Sequence, residues 1–237
     1  MPGRGGGRLC TIVTADIGVR IVAGEFAPGA VLPTEADLVK KFRVSRTTVR
    51  EAIKRLHGKG LVSSTPRNGT VVQPTLHWNQ FDSELLTWRV RSGVAAEVLG
   101  QLYDIRDCFE PHACRLAAVK GSEEDKAEIS RQFAAMANRR LSNKRRVAAD
   151  LEFHLAIFAA SKNVFMVSLG AAIRTALHLS FSLSQRDSMP PREQVLHGDV
   201  CAAIQRGDGR AAEESMHRLL AASRKTLRRA IAGSKQE

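Results

Sequence analysis

The apolar residues Ile12, Val13, Ile17, Ile21 and Val22 recur at three- to five-residue intervals, the spacing of one helix face, and predict a helix over residues 9–24. Gly24 and the Pro28-Gly29 pair end it. Pro33 and Thr34 open a second helix, with Thr34 as N-cap, Asp37 three residues on, and Leu38, Val39 and Phe42 as its apolar side. Ser45 is an N-cap for a third, in which Val49, Ile53 and Leu56 form the stripe that must be buried and residues 57–60 the stop. Two short β-rich runs follow, 61–64 and 70–73. They are joined through Pro66-Arg67-Asn68-Gly69, and Asn-Gly is the strongest short hairpin signal.

Beyond Gln73-Pro74-Thr75 the texture changes to long Ala/Leu-rich helical patterns, over residues 83–92, 95–119, 122–139, 144–160, 164–183, 192–206 and 209–231. Helices joined by short loops pack as an antiparallel bundle. The expected organisation is a mainly α protein. A winged helix-turn-helix domain (α with a small β-hairpin) spans residues 1–75, a linker 76–82, and an all-α domain for effector binding and dimerisation 83–237. Residues 74–81 are expected to be a hinge.

Charge sharpens this picture. The chain carries +12 in all. Residues 1–75 hold 12 Lys and Arg against 5 Asp and Glu, a net +7, which leaves +5 for the rest. A basic first third attracts phosphates at long range. The four cysteines show neither CxxC nor zinc-ribbon spacing, as expected of reduced thiols. No apolar run reaches the roughly 18 residues that span a bilayer, and MPGRGGGR lacks the apolar stretch of a signal peptide. A cytoplasmic protein with a flexible glycine-rich arm is expected.

The third helix carries the candidate chemistry of the first domain. Opposite its apolar stripe stand Arg46, Thr47, Arg50 and Lys54. The major groove of duplex DNA admits one helix, whose N-terminal residues meet base edges. Arg46 or Arg50 can fork onto guanine, a contact worth about 1–3 kcal/mol of discrimination. Ser45, Thr47 and Thr48 suit phosphate contacts, and Arg67 at the hairpin tip suits the flanking minor groove. The alternative is a solvated basic helix beside an ordinary hairpin.

The stretch Leu32-Pro33-Thr34-Glu35, then residues 44–52 (VSRTTVREA), Leu56 and Gly60-Leu61-Val62, resembles the GntR family of bacterial transcription regulators. The resemblance covers the whole first domain and adds Thr34, Glu35 and Gly69 to the expected DNA-binding residues. Members of the fatty-acid-responsive subfamily carry Arg after the motif's Glu, where this chain has Ala36.

In the second domain Asp150 and His154 lie four residues apart, on one face of a helix, and can clamp a divalent metal at two points; His197 on a later helix can complete three. The bland alternative is a satisfied core histidine. Residues 103–106 (YDIR) with Glu110-Pro111, then Ala117-Ala118, residues 150–154, Ala160-Ser161, Asn163, His197 and Gly207-Asp208 resemble the all-helical FCD effector domain of the FadR-type branch of this family. That resemblance implies a metal held by Asp150, His154 and His197, with the effector's carboxylate on it. It also implies Arg106 and Asn163 as effector-binding residues, with Arg106 holding the carboxylate. An Arg106–Glu110 ion pair within the helix is the alternative for Arg106. Leu219 stands where the family's last metal-binding His falls; His217, two residues earlier, lies about 200° away around a helix. Aspartate plus imidazole admits zinc, nickel or manganese.

Residues 77–82 and 85–88 are similar to the opening of the effector domain in galactonate-responsive repressors of sugar-acid catabolism. A sugar acid suits a carboxylate clamp with hydroxyl partners such as Ser180, Ser182, Ser184 and Gln185. The expected function is a homodimeric repressor that reads a short inverted repeat in double-stranded DNA and is released by a small carboxylate, an aldonate being favoured. Lactate, dicarboxylate or acyl-CoA effectors are alternatives. A metal-dependent enzyme is a further one, but GxSxG, HExxH and phosphate-loop motifs are absent. A constitutive architectural DNA binder is the third reading.

Overall fold

The computed structural model describes residues 4–65, 69–184 and 189–233. The chain forms two compact units, Met1–Ala95 and Ala96–Glu237.

The first unit contains α1 (Arg4–Val22), α2 (Glu35–Phe42), α3 (Arg46–Gly58), the strands β1 (Val62–Thr65) and β2 (Gly69–Val72), and α4 (Ser83–Arg89). Both expected caps are formed. Thr34 and Asp37 make a reciprocal capping box, and the Ser45 hydroxyl accepts from Thr48 N at 3.1 Å. Arg43, with φ 52°, turns the chain between α2 and α3. The strands pair antiparallel from Val62 opposite Val72 to Thr65 opposite Gly69, and the extended residues 30–32 add backbone bonds to β2.

Val13, Ile17 and Ile21 of α1, Leu38 of α2, and Val49, Ala52 and Leu56 of α3 meet Val62, Val72, Trp78, Leu85 and Trp88 in one core. Each such aliphatic side chain contributes about 1.5–3 kcal/mol by leaving water. Two expectations change here. Ile12 is exposed, because the buried stripe runs through positions 10, 13, 17 and 21. The residues expected as a flexible arm, from Arg4 onward, are instead the first turns of α1.

The expected hinge is also fastened down. Trp78 is buried and its indole N–H donates to Gln73 O at 2.9 Å, while Asn79 N donates to Lys59 O at 2.9 Å. The Lys59 ammonium lies 2.8 Å from both Asp82 carboxylate oxygens and 2.7 Å from Glu84. Burial works against its charge, but these two carboxylates raise its pKa. Asp82 also caps α4 through Leu85 N. Trp88 then lies directly on Gly18, where a Cβ would come within 2.2 Å of the indole. α4 therefore belongs to the first unit, and helical geometry breaks only after it, over Val90–Val94, where Gly93 has φ 91°.

The second unit is all helical: α5 (Ala95–Lys120), α6 (Glu123–Ala137), α7 (Asn143–Ala160), α8 (Val164–Ser184), α9 (Pro191–Gln205) and α10 (Gly209–Gly233). α6 packs on α7 and α9, α8 on α7 and α10, and α9 on α10, an antiparallel bundle. Among the described residues no helix is long and apolar enough to cross a membrane.

Candidate functional site

Chemistry concentrates at one place in each unit. In the first, α3 presents Arg46, Thr47, Arg50 and Lys54 to solvent, opposite the buried Val49, Ala52 and Leu56. Arg50 Nε lies 3.5 Å from Glu35 on α2, and Lys54 bonds Glu51 at 2.8 Å. Thr48 is half-buried and its hydroxyl is 2.9 Å from the Ser45 hydroxyl, so it serves the cap. Thr34 is likewise committed to Asp37. Gly69 is exposed at the start of β2 with φ 71°, whereas Arg67 lies outside the described residues.

In the second unit, Arg106 and Glu110 of α5, Asp150 and His154 of α7, and His197 of α9 are brought together, each at most 2 % exposed. One helical turn separates Arg106 from Glu110 and Asp150 from His154, so each pair shares a helix face. Arg106 Nε donates to Glu110 Oε1 at 2.6 Å, and its guanidinium lies between the rings of Tyr103 and Phe181, 4.7 and 5.0 Å away. Its Nη1 is buried and has no hydrogen-bond partner among the described residues. Arg106 thus makes the intrahelical ion pair and keeps one buried donor outside it.

The two imidazoles are held between acceptors. His197 Nδ1 is 2.7 Å from Glu193 O and its Nε2 is 3.2 Å from Asp150 Oδ1. His154 Nδ1 is 2.7 Å from Glu110 Oε2, an ion-pair contact out of line for a hydrogen bond, and its Nε2 is 3.4 Å from the same Asp150 oxygen. A neutral imidazole has one N–H and one lone pair, so neither ring satisfies two acceptors unaided. The arrangement asks for added positive charge, as protons or as a cation seated among Asp150, His154 and His197. Their ligand atoms lie within 4.8 Å of one another. This donor set fits a divalent ion, with Glu193 O and Glu110 fixing the rings from behind.

The electrostatics agree. Burial would raise the Glu110 carboxyl, yet Arg106 and His154 bring it down to about 2. Burial also opposes ionisation of Asp150, but His197 and His154 hold it well below the usual carboxylate range. His154 is disfavoured as a cation by burial and favoured by Glu110 and Asp150, which raise its pKa. Two carboxylates and one guanidinium leave the cluster one charge negative with neutral imidazoles.

Other sequence-derived candidates lie elsewhere. Asn163 does not join the cluster: its Oδ1 accepts from Phe165 N at 3.0 Å and caps α8. Leu219 is buried, while His217 is exposed, 3.6 Å from Asp107. Ser180 is fully buried with no hydrogen-bond partner among the described residues; Gln185 and the side chains of Ser182 and Ser184 fall outside them. Sequence reasoning gave Glu110 only an ion-pair role and missed its position behind His154. An acidic residue one turn from Arg106 on the same helix was the available signal.

Residues 11–72 match the family of bacterial regulatory proteins, gntR family, and residues 101–222 match the FCD domain. The chain is 36 % identical to the uncharacterized HTH-type transcriptional regulator YieP of Escherichia coli (strain K12), over 90 % of this chain and 92 % of that protein. It belongs to the GntR family. The galactonate operon transcriptional repressor of the same organism is 27 % identical over 91 % of this chain and 95 % of its own. The solved structure of Lar from Listeria monocytogenes has the same fold, with a TM-score of 0.63 at 19 % identity, covering 93 % of this chain and 96 % of that one. As a GntR protein with an FCD domain, the chain is a DNA-binding transcription regulator and not an enzyme.

Proposed function

We propose that this GntR regulator is a homodimeric repressor whose two winged units read a short inverted repeat and which a small carboxylate releases. The observation that carries this reading is the Arg106 guanidinium, 1 % exposed, with Nη1 unpartnered beside a cluster of buried carboxylates and imidazoles. Leaving a buried cationic donor unmatched costs more than about 1–3 kcal/mol, so a partner is expected there. A carboxylate is the anion whose planar geometry a guanidinium matches.

Asp150, His154 and His197 would hold a divalent metal, zinc, nickel or manganese, which when bound supplies a positive point for the same carboxylate. With one such ion the cluster becomes one charge positive, and a monocarboxylate neutralises it. The buried hydroxyls of Tyr103 and Ser180, both without hydrogen-bond partners, favour a hydroxylated acid over a fatty acyl chain. The similarity to a galactonate operon repressor supports an aldonate and supports repression.

A thermal-shift and calorimetric screen tests this, using hexonates, uronates, lactate, dicarboxylates and acyl-CoA with and without chelator. A ligand at 100 times its Kd adds about 2.7 kcal/mol of stability, which melting detects. A hexonate shift that Arg106→Met removes, and that releases the protein from its operator, is expected. No shift with any carboxylate, from protein that binds DNA, would sink the effector class.

A further inference from the structure

The second unit carries a concentrated positive surface that the effector site does not use. The connection from α6 to α7 and the first turn of α7, residues 138–146, hold five cations and no acid. Arg139, Arg140, Lys144 and Arg145 are exposed there. A cleft of about 310 Å³ places Arg139 and Arg146 beside Met189, Pro191 and Gln194 at the start of α9. A second, of about 230 Å³, joins the start of α9 to the end of α10 and adds the exposed Arg192, Lys225 and Arg229. The start of α5 closes the same end, since Leu99 and Tyr103 line a third cleft with Leu227 and Arg228 of α10. One pole of the bundle therefore gathers these cations, and it is the pole at which α5 begins.

Their pairing state sets them apart. Away from this pole the bundle's surface cations are largely matched, as in Arg115 with Glu213, Lys162 with Asp125, Arg174 with Glu152 and Arg210 with Glu214. Among the described residues, no carboxylate pairs with Arg139, Arg140, Lys144 or Arg145, nor with Arg192, Lys225 or Arg229. The nearby Glu193 is buried and bonded to Ser223 and Thr226. Self-repulsion among unpaired cations is unfavourable, and a polyanion relieves it.

We infer that this pole is a second contact surface for duplex DNA, gripping the phosphate backbone without reading sequence. DNA is the polyanion the chain already brings to itself, so a weak second contact gains from high effective concentration. The inference rests on the DNA-binding role of the first unit.

Anisotropy titrations of the full-length protein on a mixed-sequence duplex of about 40 base pairs, across a range of salt, test it. The pole variant is Arg140→Gln/Lys144→Gln/Arg145→Gln; the charge-matched control is Lys120→Gln/Arg206→Gln/Arg210→Gln, all exposed positions. Each lost phosphate contact lowers the slope of log affinity against log salt by about 0.9, so the pole variant should lose about two to three and bind at least tenfold more weakly at low salt. The control should lose less than twofold. Equal losses in both variants would reduce the effect to net charge and overturn the proposal. An unchanged pole variant, alongside an Arg50→Ala variant that binds weakly, would overturn it while leaving the winged unit's role intact. If the unmodified protein fails to bind duplex DNA, both readings fall together.

Discussion

Replacing Arg106 by Met should cost the second unit about 3 kcal/mol of stability, because breaking one side of a buried ion pair strands the other charge. Solvent cannot screen the loss: Arg106 and Glu110 are 1 % and 2 % exposed. The range for such breakage is about 3–5 kcal/mol, and the lower end applies because Glu110 keeps His154 at 2.7 Å as a partner. Tyr103 and Phe181 lose the cation between them as well. The double variant Arg106→Met/Glu110→Met removes both charges and keeps apolar volume, so it should recover most of the loss. It should still fail to bind a carboxylate. Urea unfolding in excess chelator reads this with two probes. The chain's two tryptophans, Trp78 and Trp88, both lie in the first unit, so their fluorescence follows that unit. Far-UV circular dichroism is dominated by α5–α10. The dichroism midpoint should fall in the single variant. A single variant as stable as the unmodified protein, or a double variant less stable than the single, would refute the argument.

Gly60 has φ 75°, and a Cβ there would lie 2.1 Å from His77 O, so Gly60→Ala should lower the stability read by tryptophan fluorescence by about 2 kcal/mol or more, while Gly58→Ala, with open space around it, should not. Calorimetry of chelator-stripped protein should show one divalent ion per chain, and His197→Ala should weaken it by at least about tenfold. Arg46→Ala and Arg50→Ala should each cost about 1–3 kcal/mol on a selected operator and less on random duplex, measured by competition.

Much of this was legible because it is local. Caps and stripes are set within a turn or two, so Thr34, Ser45 and the Val49–Leu56 face are read directly from spacing. The pairing of Asp150 with His154 follows from the same helical arithmetic. What failed depended on distant partners. Residues 76–82 look like a polar linker, yet Trp78 and the Lys59–Asp82 contact bind them to a core assembled from α1 and α3. Asn163 shows a local role that family resemblance does not give: directly before α8, its side-chain oxygen caps that helix. His197 was a weak candidate from its residue type alone and was joined to Asp150 through family resemblance, since nothing local says which faces of α7 and α9 meet.

The seating of Trp88 on Gly18 has a mechanical consequence. It packs α4 onto α1, while the Lys59–Asp82 contact ties the start of α4 to the end of the reading helix. The chain leaves this unit through the five residues Val90–Val94, a joint of about ten backbone dihedrals. Stiffening or loosening that joint should change how strongly effector binding and DNA binding feel each other, with neither binding site altered.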